Sequence, residues 1–330
     1  MKKLQIVLLL VFAWGVSGQE GIPVYFDYLT DNYYLVYPSM AGVGKGGKLR
    51  LTARKQWFDV ERAPNLQTLN VHFRAGEHSG VGAILLNDSN GFHSQTGLKG
   101  TYAHHLRLGG DFRSLNQLSF GLSVGAILSS LDETEFRSVV PDLVVSGVKN
   151  TVSYFNIDIG VSYSYHEFFA HGAILNILGT GRDLYSVAEF DNLRRYLVTV
   201  GYVLGKSNLR FEPSVLFQAT DFTQEHTIDI NAKVYKDLNE KTTLWGGFSY
   251  RRSFDGSEFV QNGSSDVQHL QLFTPIVGVN IKRFIVSYNY SYQSGDIRLS
   301  NGGFHQITLG FDFGEASEDQ FDCYCPAANY

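Results

Sequence analysis

The feature that most restricts this chain is an alternation of apolar and polar residues that recurs along most of its length behind a leader of secretory type. Near the end, Ile307, Leu309, Phe311 and Phe313 are apolar while Gln306, Thr308 and Asp312 between them are polar. A period of two marks a strand with one apolar face. One such strand fits any antiparallel sheet. A whole chain of them, with no apolar run approaching the roughly 20 residues of a membrane helix, must place many outward apolar faces, and lipid is the environment that accepts them.

The leader itself is explicit. Lys2 and Lys3 precede an apolar core from Leu4 to Trp14, then come Gly15-Val16-Ser17-Gly18. This pattern predicts a cleaved signal peptide over residues 1–18 and a mature chain from Gln19.

Lys48 to Trp57 is the first clear strand, with Leu49, Leu51 and Ala53 on one face and Arg50, Thr52 and Arg54 on the other. Leu66 to Ala75 follows, setting Leu69, Val71 and Phe73 against Thr68, Asn70, His72 and Arg74. The same reading gives strands over Gly80–Leu86, Phe92–Leu106, Gln117–Leu128, Ser153–Tyr165, Phe168–Ile177, Leu193–Leu204, Leu209–Thr220, Glu225–Val234, Thr242–Ser253, Val267–Ile281, Phe284–Ser294 and Gln306–Phe313. Their links alternate between short (76–79, 166–167, 205–208, 236–241, 282–283) and long (129–152, 178–192, 254–266, 295–305), with 107–116 the longest of the short set. Outer-membrane barrels have this rhythm of short periplasmic turns and long outer loops. Closure is required because an open sheet edge in hydrocarbon leaves backbone groups unpaired at several kcal/mol each.

The expected fold is all-β: a closed antiparallel transmembrane β-barrel of about 14 strands over residues 48–313. Residues 19–47 form an N-terminal periplasmic segment available to plug the lumen, and residues 314–330 an acidic periplasmic tail carrying Cys323 and Cys325. Both termini then lie in the periplasm. Trp57, Tyr102, Tyr165, Tyr202, Trp245 and Tyr250 fall near strand ends, where amphipathic rings suit the headgroup level. The polar faces carry Arg50, Arg54, Arg74, Lys99, Asp158, Arg195, Arg210, Glu212, Asp229, Lys233 and Arg251. These charges suit either a solute path or an internal ion-pair network; at this strand number the reading favours a filled lumen.

Little points to chemistry. His93, His104, His105, His171 and His305 are the candidate bases, but no Gly-x-Ser-x-Gly elbow accompanies them. His104 and His105 point to opposite faces of a strand and cannot share an ion. Asp88-Ser89-Asn90-Gly91 is short of a calcium loop and reads as a turn. With a formal charge of −5 and no basic, aromatic-interleaved patch, nucleic acid is not an expected partner. No catalytic, cofactor-binding or metal residue is assigned.

Several segments, in order, resemble the PorP/SprF outer-membrane proteins of the type IX secretion system. Tyr34-Leu35-Val36-Tyr37-Pro38-Ser39-Met40-Ala41-Gly42 is similar to the family's Asn-Pro-Ala-x-Ala-Gly segment, with Tyr37 in place of Asn and Ser39 in place of Ala. Arg54-Lys55-Gln56-Trp57 followed by Ala63-Pro64 resembles its basic-x-Gln-Trp and Ala-Pro pattern. Val81-Gly82 with Asn87-Asp88 and Gly91 resembles its second hairpin, and Trp245-Gly246-Gly247 with Tyr250-Arg251 its late Trp-Gly strand. Gly303-Phe304-His305-Gln306-Ile307 is similar to its Gly-Ser-His-Glu-Ile closing strand. The motif positions are thus Pro38, Gly42, Arg54, Gln56, Trp57, Pro64, Trp245, Arg251 and His305.

What the resemblance implies is a non-enzymatic outer-membrane role in protein secretion and gliding motility. Its implied partners are membrane lipid, a secreted adhesin or its C-terminal sorting domain, and periplasmic secretion-ring proteins. The barrel pattern alone equally allows a transport barrel, either porin-like or a channel for hydrophobic solutes.

Overall fold

The last strand of the sheet pairs with the first, and every pairing around the ring is antiparallel. The computed structural model describes residues 32–44, 46–58, 60–109, 115–136, 147–178, 194–206, 208–221, 225–261, 264–295 and 302–314. The expected signal peptide, residues 19–31 and the tail beyond Gly314 with its two cysteines lie outside the described residues.

In chain order the strands are β1 Gly47–Gln56, β2 Asn65–Arg74, β3 Ser79–Asn90, β4 His93–Arg107, β5 Asn116–Asp132, β6 Lys149–Tyr165, β7 Phe168–Leu175, β8 Arg195–Tyr202, β9 Leu204–Lys206, β10 Leu209–Thr220, β11 His226–Asn239, β12 Thr242–Gln261, β13 Ser264–Ile281, β14 Phe284–Ser294 and β15 Phe304–Phe313. Both β8 and β9 pair with β10, so they are two parts of one stave, and the 15 segments make a closed barrel of 14 staves. The seam runs from Gly47↔Phe313 to Gln56↔Phe304 without a register shift.

Prolines explain two irregularities. Pro213 of β10 sits at the level where β8 gives way to β9 at Val203. On β13, Pro275 lies in a two-residue stretch where pairing with β14 lapses between Phe273↔Tyr292 and Ile276↔Asn289. A proline offers no N–H to a ladder. There the Thr274 and Ser291 hydroxyls bridge the two strands at 2.7 Å instead.

The period-two pattern sorts the faces. Leu51, Leu69, Leu85, Leu98, Leu122, Val161, Val200, Val234, Val277 and Leu309 point outward and stay exposed, whereas Thr52, Asn70, Ser123, Asp158, Thr199, Glu212, Asp229, Ser249, Thr274 and Thr308 point inward and are buried. An apolar exterior around a polar interior is the inverse of a soluble core. It suits a wall bathed in lipid.

Three expectations need correction. Links at the rim away from the chain ends were expected to include a loop over 254–266, but β12 and β13 stay paired up to Gln261↔Ser264, with a register shift between Arg252 and Gly256. Alternation lapses there because a ribbon beyond the lipid needs no apolar face. Asp88–Asn90 belong to β3, leaving the turn to Gly91 and Phe92. Trp245, expected at the membrane interface, is 5 % exposed and faces the lumen, because it shares the parity of Ser249 and Arg251.

Candidate functional site

The lumen holds a segment of the chain itself. Residues 32–44 contain two 3-10 turns, Tyr33–Leu35 and Pro38–Met40, and run against inward-facing residues of the wall. Tyr34, Val36, Tyr37, Met40, Ala41 and Val43 form one buried cluster with Ile84, Ala103, Ala173, Leu197 and Leu216 from β3, β4, β7, β8 and β10. The segment sits on this apolar part of the lumenal lining.

Specific bonds fix its register. The Tyr37 hydroxyl meets Thr199 Oγ1 at 2.5 Å, and Ser39 Oγ meets Ser162 Oγ at 2.6 Å. The Tyr34 hydroxyl donates to Thr101 Oγ1 at 2.9 Å. At its far end, Gly42 N donates to His72 Nδ1 at 3.0 Å, and His105 Nε2 meets the Ala41 carbonyl at 3.0 Å. Burial pushes the Tyr34 hydroxyl up to about 12 and that of Tyr37 further still, so both stay neutral hydrogen-bonding groups.

Close approach is made possible by glycines at lumen-facing positions. A Cβ on Gly121 would lie 2.2 Å from Pro38 C and Ser39 N, and one on Gly80 would lie 2.0 Å from the Ala41 carbonyl oxygen. Backbone atoms cannot yield as a flexible side chain would.

Along the lumenal wall, four ion pairs link adjacent or next-nearest strands. Arg251 grips Asp229 with two bonds of 2.7 Å, Lys99 reaches Asp158 at 2.6 Å, Arg210 reaches Asp237 at 2.8 Å and Arg50 reaches Asp312 at 2.7 Å. Glu212, 2 % exposed, accepts from Tyr235 at 3.0 Å and from Tyr33 of the segment at 3.4 Å. Lys233 Nζ lies over the Trp245 ring at 5.4 Å, and the indole N–H donates to Asn280 Oδ1 at 2.9 Å. Paired, hydrogen-bonded charges stiffen a wall; breaking one pair leaves an uncompensated buried charge.

The motif positions divide into four sets. Pro38 and Gly42 belong to the lumenal segment. Arg54, Gln56, Trp57 and Pro64 gather at the rim away from the chain ends. There Gln56, with its amide oxygen turned to the guanidinium, accepts from Arg54 at 2.7 and 2.9 Å, and Gln56 N donates to the Pro64 carbonyl at 2.9 Å. Arg54 also lies 5.3 Å from the Phe304 ring, and Trp57 N donates to Gly303 O at 3.0 Å. Trp245 and Arg251 face the lumen from β12, remote in sequence from both groups. His305 faces outward, its ring bonded to Tyr288 at 2.7 Å and to the Gly302 carbonyl at 3.0 Å.

Three histidines meet a serine hydroxyl: His93 with Ser129 at 2.9 Å, His105 with Ser119 at 2.8 Å and His171 with Ser162 at 2.8 Å. Neither His105 nor His171 has a carboxylate among its hydrogen-bond partners in the described residues. A nucleophile and base need a third, orienting group. No group of three or more His, Cys, Asp or Glu suited to a metal occurs among the described residues.

A closed antiparallel ring with an apolar exterior, a polar lumen and a segment of its own chain inside defines an outer-membrane β-barrel protein. The model of the family described as Type IX secretion system membrane protein PorP/SprF matches residues 17–311, and the chain belongs to that family. No curated protein matches it in sequence. Among solved structures it is similar to a Pseudomonas aeruginosa FadL homologue at TM-score 0.47 and 8% identity, covering 84% of this chain and 93% of that one. The TodX monoaromatic hydrocarbon channel gives TM-score 0.46 and 11% identity with the same coverage of 84% and 93%. CdiB from Acinetobacter baumannii gives TM-score 0.44 and 8% identity over 82% of this chain, which spans only 60% of CdiB.

Proposed function

We propose that this protein is a non-enzymatic component of the type IX secretion system that supports export or surface attachment of a partner protein such as an adhesin. Both chain ends lie in the periplasm, and residues 32–44 close the lumen. The observation that carries this reading is the segment's seat: side chains and backbone bonds hold it in an interior where Lys99 is already paired with Asp158 and Arg251 with Asp229. An interior filled in this way supports a scaffold in the outer membrane better than a path for freely diffusing solutes.

The partner is recognised through its C-terminal sorting domain, with secretion-ring proteins meeting the periplasmic rim. Deleting the gene should abolish surface display of a specific secreted partner and leave small-solute uptake at the wild-type level. A transport barrel would show the opposite, with normal display and impaired uptake.

A further inference from the structure

Beyond this reading, the rim where the chain ends emerge carries a basic surface whose cations outnumber the carboxylate on the same turns. The turns β11–β12 and β13–β14 abut there, Lys282 N donating to the Lys241 carbonyl at 2.7 Å. Lys236, Lys241, Lys282 and Arg283 are all exposed on them, and none forms an ion pair among the described residues. The carboxylate nearest in sequence that is left to face them is Glu240, since Asp237 is held by Arg210 and Thr243.

The chain beyond β15 starts at this place. Asp312 N donates to the Arg283 carbonyl at 2.8 Å, so Gly314 leaves the barrel beside the basic turns. The residues after it include Glu315, Glu318, Asp319 and Asp322 and no lysine or arginine. We propose that this acidic segment docks on the basic turns of its own barrel.

Reach is ample. Residues 315–330 could extend roughly 53–58 Å at 3.3–3.6 Å per residue, and the four acidic residues lie within eight positions of Gly314. Tethering keeps them at high local concentration, so several exposed pairs, each weak alone, act together. The contact brings Cys323 and Cys325 toward that rim. It rests on topology alone and holds whichever compartment that rim faces.

The test uses the full chain in nanodiscs of zwitterionic lipid. Its two cysteines both lie in this segment, so Cys325→Ser with Glu240→Cys leaves one spin label on the segment and one on the β11–β12 turn. Pulsed electron resonance then reads their separation. A narrow distance population is expected, broadening at 1 M salt, where the screening length falls to about 3 Å. It should also broaden in Lys241→Glu/Lys282→Glu/Arg283→Glu and return when Glu315, Glu318, Asp319 and Asp322 are changed to Lys in that background. Heat-modified gel migration checks that each variant is a folded barrel. A broad population in the unreversed chain overturns the proposal. So does a narrow one indifferent to charge reversal, which would place the segment on another surface or partner.

Discussion

Replacing Gly121 by alanine should unseat the lumenal segment while leaving the barrel standing. The added Cβ would lie 2.2 Å from Pro38 C and Ser39 N and 2.5 Å from Pro38 O. Carbon pairs settle at about 3.5–4.0 Å, so the segment's backbone must retreat by roughly 1.5 Å. The hydrogen bonds to Thr199, Ser162, His105 and His72 span only 2.5–3.0 Å and cannot all survive that shift. At about 0.5–1.5 kcal/mol each, their loss is worth on the order of 2–6 kcal/mol. Gly121 pairs through its backbone with Ala103 and Gly160, and those ladders are untouched. Gly100 on neighbouring β4 supplies the control, since a Cβ there meets nothing within 4 Å. Ionic current across planar bilayers is the assay: wild type and Gly100→Ala should stay closed and Gly121→Ala should conduct. If Gly121→Ala remains as closed and as heat-resistant as wild type, or if wild type already conducts to the same degree, the seat does not close the lumen.

Other variants probe the wall. Asp229→Asn removes the carboxylate that accepts both Arg251 bonds and should lower stability by about 3–5 kcal/mol, whereas Asp229→Leu with Arg251→Met should lie much closer to wild type; urea unfolding in lipid vesicles separates the two. Leu122→Arg places a charge on the lipid face and should cost about 2–4 kcal/mol if that site lies near the bilayer midplane, read in the same assay. Arg62, exposed and paired with Glu135 at 2.6 Å, should be replaceable by alanine with a change under about 1 kcal/mol.

The strand sequence was legible because lipid imposes a local rule. Lys48–Trp57 was read where Gly47–Gln56 is found, and Phe284–Ser294 coincides with its strand. Where that rule stops, legibility stopped: past Arg252 no face must be apolar, and a paired ribbon looked like a loop. Trp245 was misplaced by reading its position along the strand and not its parity with Ser249. The lumenal seat lay deeper, since Tyr37–Thr199 and Ser39–Ser162 join residues 162 and 123 positions apart. One signal was present: Gly80, Gly82, Gly121 and Gly160 occupy inward positions, where small residues leave room for a second backbone.

The β1–β15 seam also decides when the sheet is closed. Gly47 and Phe313 must meet before any closed sheet exists, so until they do the strands form a ribbon with two open edges. Loop-closure entropy rises only by about 0.6 kcal/mol per doubling of length, which makes the final contact thermodynamically mild. Its burden is kinetic, because such long-range pairings form slowly and leave unpaired edges exposed meanwhile. A chain halted before Phe304 would hold every other strand and still be unable to close, and its survival would depend on whatever shelters the edge of β1 until the last strand arrives.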